Sequence, residues 1–194
     1  MTRPRLAGLL LVLVALGGAL SYSLRARPAV SKPAAADLAP LRAQAALDPC
    51  PAGISPDLPD LVLPCLDGGP PASLRGTPAG IPVLVNVYGS WCVPCQREMP
   101  ILKQFHDATS ARVGLVGIDS EDDRRQALHF AIDFGQHWPA LADDDGVVLR
   151  TFGVGAPKML FVDAGGKIVH VERGGYRSLA KLRADVTRYL GVSV

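Results

Sequence analysis

The stretch Ile81–Gly89 reads IPVLVNVYG, a run of apolar and β-branched residues interrupted only by Asn86. Such a run suits a strand covered on both faces. The same reading applies to RVGLVGID at Arg112–Asp119. Between them the pattern changes to helical spacing, so a helix is expected from just after Trp91 to about Ser110. EDDRRQALHFAIDFG opens with acids, keeps apolar residues at helical spacing and stops at Gly135, which is a helix signature. HWPALADDDGVVLRTFGV is mixed and reads as a short strand, a turn and a short helix. KMLFVDAGGKIVHVE gives two strands joined around Gly165–Gly166, and SLAKLRADVTRYLG closes the chain as an amphipathic helix. Upstream, LPDLVLPCLDGGPPASLRG suggests a short strand pair turning at Gly68–Gly69. The order strand–helix–strand–helix, then hairpin, then helix predicts an α/β fold. Its central mixed sheet would carry helices on both faces.

The N-terminus has a different pattern. From Leu6 to Leu24 no residue is charged, with Arg3 and Arg5 just before and Arg25, Arg27 and Lys32 just after. A run of that length spans a bilayer core of about 30 Å at roughly 1.5 Å per residue. A cleaved signal peptide is the competing reading, but its apolar run is shorter, about 7–15 residues. Basic residues on both flanks weaken the orientation rule. The expected organisation is a cytoplasmic N-terminus at 1–5, a transmembrane signal anchor at 6–24 and an Ala/Pro-rich tether at 25–57. A folded domain occupies 58–194. The tether contains a short candidate helix at Leu38–Leu47. Either export reading puts the folded part outside the cytoplasm, and the anchor reading makes the chain a single-pass protein of a bacterial cell membrane with that part on the extracytoplasmic side.

Composition narrows the field further. The formal charge is +2 and no basic run exceeds two residues, which argues against nucleic acid as a partner. A domain of about 140 residues buries a real core without disulfide staples. Four cysteines fall into two groups, Cys50 with Cys65 and Cys92 with Cys95. An even count in an exported chain points to disulfides.

The chemistry concentrates in YGSWCVPCQREMP, Tyr88–Pro100. A strand that ends in a loop and runs straight into a helix places Cys92 at the helix N-terminus. Free N–H groups and the helix dipole there favour thiolate over thiol. Thiolate is the form that attacks a disulfide. Pro94 suits the first helical turn, where its missing N–H has no partner to lose, and it stiffens the spacer. Cys95 lies one turn on, placed to displace whatever Cys92 captures. A bare CxxC also fits zinc, but zinc needs two more ligands. Cys50 and Cys65 are far apart in sequence, and His106, His129, His137 and His170 are scattered. No metal and no cofactor are called for, and the histidines read as structural or surface residues.

NVYGSWCVPCQREMP resembles the active site of the thioredoxin fold, and in particular the membrane-anchored TlpA/ResA branch that includes the cytochrome c maturation thioredoxins. LPDLVLPCLDGGPPASLRG is similar to that branch's N-terminal β-hairpin. IDSEDDRRQALHFAIDFG, together with the following segment, is similar to its central αβ insertion. GAPKMLFVD resembles the loop carrying the cis-proline. The likeness runs from about Pro59 to Leu190. It implies a thioredoxin-like fold and a thiol–disulfide oxidoreductase with Cys92 and Cys95 as the redox-active disulfide. It also implies that Glu98 is the active-site acid. Asn86 stands where cytoplasmic thioredoxin has a buried aspartate. One turn along from Cys95, a partly buried Glu98 carboxyl would have a raised pKa and accept the resolving thiol's proton. Pro157 is the expected cis-proline, with the Ala156 backbone pairing to an extended substrate segment and Trp91 offering an apolar contact. Trp138 reads as core or insertion packing. FGVGAP is about one residue shorter than the family's spacing, and Lys158 replaces a common threonine, so the loop's shape is open.

Cys50, flanked by Pro49 and Pro51, is expected to form a structural disulfide with Cys65, tying the tether to the domain. Closing a loop of about 15 residues is worth roughly 3 kcal/mol in the chain-entropy model. A second exchange pair is the alternative. The resemblance further implies a reductant with selected disulfide clients, such as apocytochrome c or copper-site proteins, and a CcdA- or DsbD-like membrane electron donor. Three other functions compete: a disulfide-forming oxidase, a metal or haem carrier using the two thiols, and a thiol peroxidase. The last needs a hydroxyl residue three places before the reactive cysteine, where this chain has Gly89.

Overall fold

The computed structural model describes residues 38–78 and 80–194. The expected cytoplasmic N-terminus, the transmembrane anchor at 6–24 and the first part of the tether lie outside the described residues. Among the described residues no helix is long and apolar enough to cross a membrane.

The central sheet has five strands. These are β3 (Val83–Tyr88), β4 (Gly114–Ser120), β5 (Ala140–Asp143), β6 (Lys158–Val162) and β7 (Ile168–Arg173), in the spatial order β5–β4–β3–β6–β7. β3 pairs parallel with β4 and antiparallel with β6, so the sheet is mixed, as expected. β3 lies at the centre and is buried at every position. Its alternate residues feed two separate cores. Leu84 and Tyr88 join Cys92, Cys95, Met99, Leu102, Phe105, Met159 and Phe161 on one face. Val83, Val85 and Val87 join Val116, Ile118, Val148, Leu149, Leu160 and Val162 on the other. The period of two along a strand produces this division. It explains why the run looked uniformly apolar: each face has its own cover.

Among the described residues there are five helices. α1 is Ala39–Ala45, α2 Val93–Thr109, α3 Arg124–Phe134, α4 Val147–Thr151 and α5 Leu179–Leu190. α2 turns Cys95, Glu98, Met99, Leu102 and Phe105 inward, the three-and-four spacing of a buried helical face. Pro100 lies inside this helix and removes the bond its N–H would make to the Gln96 carbonyl. α3 begins at the cap Asp123, whose carboxylate accepts from Arg125 N–H (2.9 Å) and Gln126 N–H (3.3 Å). It ends at Gly135 in the left-handed conformation.

β1 (Val62–Leu63) and β2 (Ala72–Ser73) form the expected N-terminal hairpin. The tether boundary needs correction. Residues 38–57, assigned to a tether, belong to the folded unit. Leu38, Ala45 and Leu47 bury against Leu66, Ala127, Leu128 and Ala131, and Ile54 enters the core beside β1 and β2. The sparse apolar positions in this Ala/Pro-rich stretch give no amphipathic period. Burial of only a few side chains, each worth about 1.5–3 kcal/mol, suffices to dock it. Cys50 and Cys65 are joined by a disulfide with Cα atoms 6.0 Å apart, which fastens this docked segment to the hairpin.

Candidate active site

β3 ends at Tyr88, and after four intervening residues α2 begins at Val93. Cys92 is the N-cap of α2, in an extended conformation, and its sulfur accepts a hydrogen bond from Cys95 N–H at 3.2 Å. Its own N–H is bonded to Gly89 O at 3.0 Å and its carbonyl accepts from Gln96 N–H at 3.1 Å, which locks the turn into the helix. Cys92 and Cys95 are disulfide-bonded, with Cα atoms 5.2 Å apart. Both are buried, whereas Val93 between them is exposed.

Glu98 lies one turn along the buried face and is 1% exposed. Oε1 accepts from Asn86 Nδ2 at 2.7 Å, and Oε2 accepts from Tyr176 N–H at 3.1 Å. Burial pushes the Glu98 carboxyl up to about 7, and these two donors only partly offset it. At neutral pH it therefore gives or takes a proton with little cost.

The loop before β6 packs against this acid. The Ala156–Pro157 peptide bond is cis. Gly175, in the loop after β7, marks where three parts of the site meet. A Cβ there would lie 3.1 Å from Pro157 Cγ, 3.2 Å from Glu98 Oε2 and 3.5 Å from Pro94 O. No side chain fits without displacing the acid or the proline. Lys158, in the place where threonine was expected, is buried and donates from its ammonium to Gly155 O. Burial first, and the charge of Arg173 second, lower its pKa.

Trp91 is half exposed beside the cysteines, and its indole Nε1 donates to Ser120 O at 3.1 Å. The indole lies so close over Gly89 that a Cβ there would be 2.3 Å from Nε1. A hydroxyl residue three places before Cys92, the peroxidase requirement, would force the indole to shift. Ser90 O accepts from Gln96 Nε2 at 3.0 Å.

The structure thus brings Trp91, Cys92, Cys95, Glu98, Ala156 and Pro157 to one end of the sheet, around the start of α2. Cys50 and Cys65 lie elsewhere, where Cys65 bridges to Leu141 of β5. Trp138 is a core residue, as expected. Sequence reading missed Tyr176 and Gly175, and the only local sign of them was the Gly174–Gly175 pair.

The Redoxin family profile matches residues 54–186, well over half of the chain. The chain belongs to the Redoxin family. Within that family it is 40% identical over 93 residues to the thiol:disulfide interchange protein DsbE homolog of Paracoccus denitrificans, covering 47% of this chain and 50% of that protein. It is 28% identical over 89 residues to the thiol-disulfide oxidoreductase ResA of Bacillus anthracis, covering 45% and 51%. The chain spans about half the length of these curated relatives. Among solved structures it is similar to dsbF of MTB, determined in mixed oxidized and reduced forms, with a TM-score of 0.58 and 29% identity. That match covers 67% of this chain and 95% of the other. The thioredoxin-like fold and the likeness to the ResA branch are as the sequence implied.

Proposed function

We propose that this Redoxin-family protein is a thiol–disulfide oxidoreductase that reduces selected protein disulfides. The observation that carries the reading is the Glu98 carboxyl. It is buried one turn along α2 from a Cys92–Cys95 ring closed at the helix N-terminus, and it titrates at about 7. In the reduced protein the Cys92 thiolate, stabilised by the helix N-terminus, attacks a client disulfide. A mixed disulfide forms and one client thiolate leaves. Glu98 takes the proton from Cys95. The Cys95 thiolate attacks Cys92 sulfur, the Cys92–Cys95 bond closes, and the second client thiolate leaves. Two electrons pass to the client, whose two thiols take up the protons.

The names of the relatives, interchange proteins and oxidoreductases, support this activity. The resemblance to the TlpA/ResA branch supports the reductive direction, with clients such as apocytochrome c or copper-site proteins. A CcdA- or DsbD-like membrane protein would return the electrons. The apolar run at 6–24 supports a single-pass anchor with the folded part on the extracytoplasmic side of a bacterial membrane. Exposed Trp91, Val93 and Val154 offer apolar contact to an extended client segment beside Ala156 and Pro157.

Two measurements test the reading. A Cys95→Ala variant holds its client as a mixed disulfide on Cys92, and mass spectrometry of the trapped species identifies it. The reduction potential of the Cys92–Cys95 pair is expected at about −250 mV or lower. A value of about −120 mV overturns the reductive direction in favour of an oxidase.

A further inference from the structure

Two donors that meet the active site come from one short loop after β7. Gly174 N–H donates to Pro157 O at 3.1 Å, and Tyr176 N–H donates to Glu98 Oε2 at 3.1 Å. The loop has little stiffness of its own. Gly174 and Gly175 both take positive φ, 88° and 33°, and glycine adopts such values and many others at little steric cost. The direction of the Tyr176 N–H is therefore fixed from outside the loop. The Tyr176 side chain does this. It is buried, and its hydroxyl donates to Asp185 Oδ2 of α5 at 2.8 Å. Asp185 is also buried and is held in turn by Lys181, one turn back on α5. The Lys181 ammonium donates to the same oxygen and lies 5.8 Å from the centre of the Tyr176 ring. α5 is itself packed, through Leu182 and Val186, into the core that contains Cys92 and Cys95.

We propose that Tyr176 and Asp185 are positioning residues for the active-site acid: their hydroxyl–carboxylate bond ties the loop to α5 and holds the Tyr176 N–H on Glu98. The chemistry of the anchor suits this task. Burial, then the bond to Asp185, raise the pKa of the Tyr176 hydroxyl, so it stays a donor throughout the range in which Glu98 titrates. An N–H bonded to a carboxylate favours its charged form, so losing that bond raises the carboxyl's pKa. The other charged groups around Tyr176 are Glu172 of β7 and Arg177 of the loop, which with Lys181 line a cavity of about 230 Å³ beside it. Both are kept in every variant below, so their charges are common to each comparison.

The inference rests on the reading of Glu98 as proton acceptor only for its consequence in turnover. Its first test needs none: carbon-detected NMR titration of the Glu98 carboxyl in the oxidised protein, where neither cysteine titrates. Tyr176→Phe removes the hydroxyl and keeps the ring. Its Glu98 midpoint is expected about one pH unit above the wild-type value of about 7. An unchanged midpoint overturns the proposal. Two double variants remove the Lys181 and Asp185 charges equally and differ only in the acceptor. Lys181→Met with Asp185→Asn keeps a carbonyl oxygen for the Tyr176 hydroxyl and is expected to hold the wild-type midpoint. Lys181→Met with Asp185→Leu keeps none and is expected to match Tyr176→Phe. Equal midpoints in the two doubles overturn it as well. In the reduced protein, the rise with pH in the rate on a peptide disulfide is expected to move with the midpoint. A midpoint that moves while the rate profile stays leaves the anchor standing and removes Glu98 from the reaction, so the two failures are told apart.

Discussion

The two disulfides of this molecule span similar distances, with Cα separations of 5.2 Å for Cys92–Cys95 and 6.0 Å for Cys50–Cys65. They differ in their surroundings. Cys92 caps a 17-residue helix, its sulfur accepts a backbone N–H, and a proton acceptor titrating at about 7 lies one turn beyond Cys95. Cys50 sits in an irregular segment between two prolines, and no helix starts at it or at Cys65. There the neighbouring ionisable group is Asp67, with a carboxylate oxygen within 4.8 Å of both sulfurs. A negative charge disfavours a thiolate, whereas a helix N-terminus favours one. The same bond therefore serves exchange in one place and fastening in the other, and the local field separates the two roles.

The comparison is broken most directly by removing sulfur. Cys92→Ser is expected to abolish reduction of a peptide disulfide, and the Cys50→Ser, Cys65→Ser double variant to retain it. Loss of turnover in a double variant that still shows a folded circular dichroism spectrum would make the second pair an exchange partner. Stability should sort the pairs in the opposite sense. Removing Cys50–Cys65 is expected to lower the free energy of unfolding by about 3 kcal/mol, read from denaturant midpoints. Removing Cys92–Cys95 frees only a ring of sequence separation 3 and should change the midpoint far less.

Glu98 sharpens the contrast, since only one pair has such an acid. Glu98→Gln is expected to slow turnover about 10²-fold and to remove the rise in rate through pH of about 7. The same variant should change stability. The native Glu98 carboxyl keeps its proton up to a pH of about 7, while the unfolded chain releases it near the ordinary value of about 4.5. The native state thus binds more protons in that window, so stability falls as pH rises from about 4.5 to 7. The fall amounts to roughly 3 kcal/mol and is complete above the window. Glu98→Gln should lack this decline, as denaturant midpoints at the two ends of the window would show. The smallest expected effect is that of Trp91→Ala. It should raise KM for a folded client disulfide by several-fold, about 1 kcal/mol, with little change for a small disulfide.

Most of the sheet was legible because its strands and helices are continuous in sequence. Val83–Tyr88 is buried at every position, and a residue run with no polar alternation reports that directly. The CVPC motif was legible for the same reason, since a strand, a loop and a helix N-terminus lie within a few residues. The docking of residues 38–57 was not legible. Leu38, Leu47 and Ile54 look like stray apolar residues until their partners Leu66, Leu128 and Leu74 are placed beside them. Gly175 and Tyr176 were hidden for a related reason: their part in the site depends on contact with a helix far earlier in the chain.

The sequence by itself determined the order of elements, the place of a reactive cysteine at a helix start and the spacing that puts a second cysteine one turn on. These are short-range matters of backbone period and local dipole. The family resemblance named Glu98 as the acid, but only tertiary structure supplied the surroundings that set its proton chemistry. Glu98 is an ordinary carboxylate in sequence. It titrates near neutrality because packing removes it from water and leaves it two donors, Asn86 from β3 and Tyr176 from 78 residues onward. Desolvation belongs to the assembled core, so no local pattern of residues encodes it.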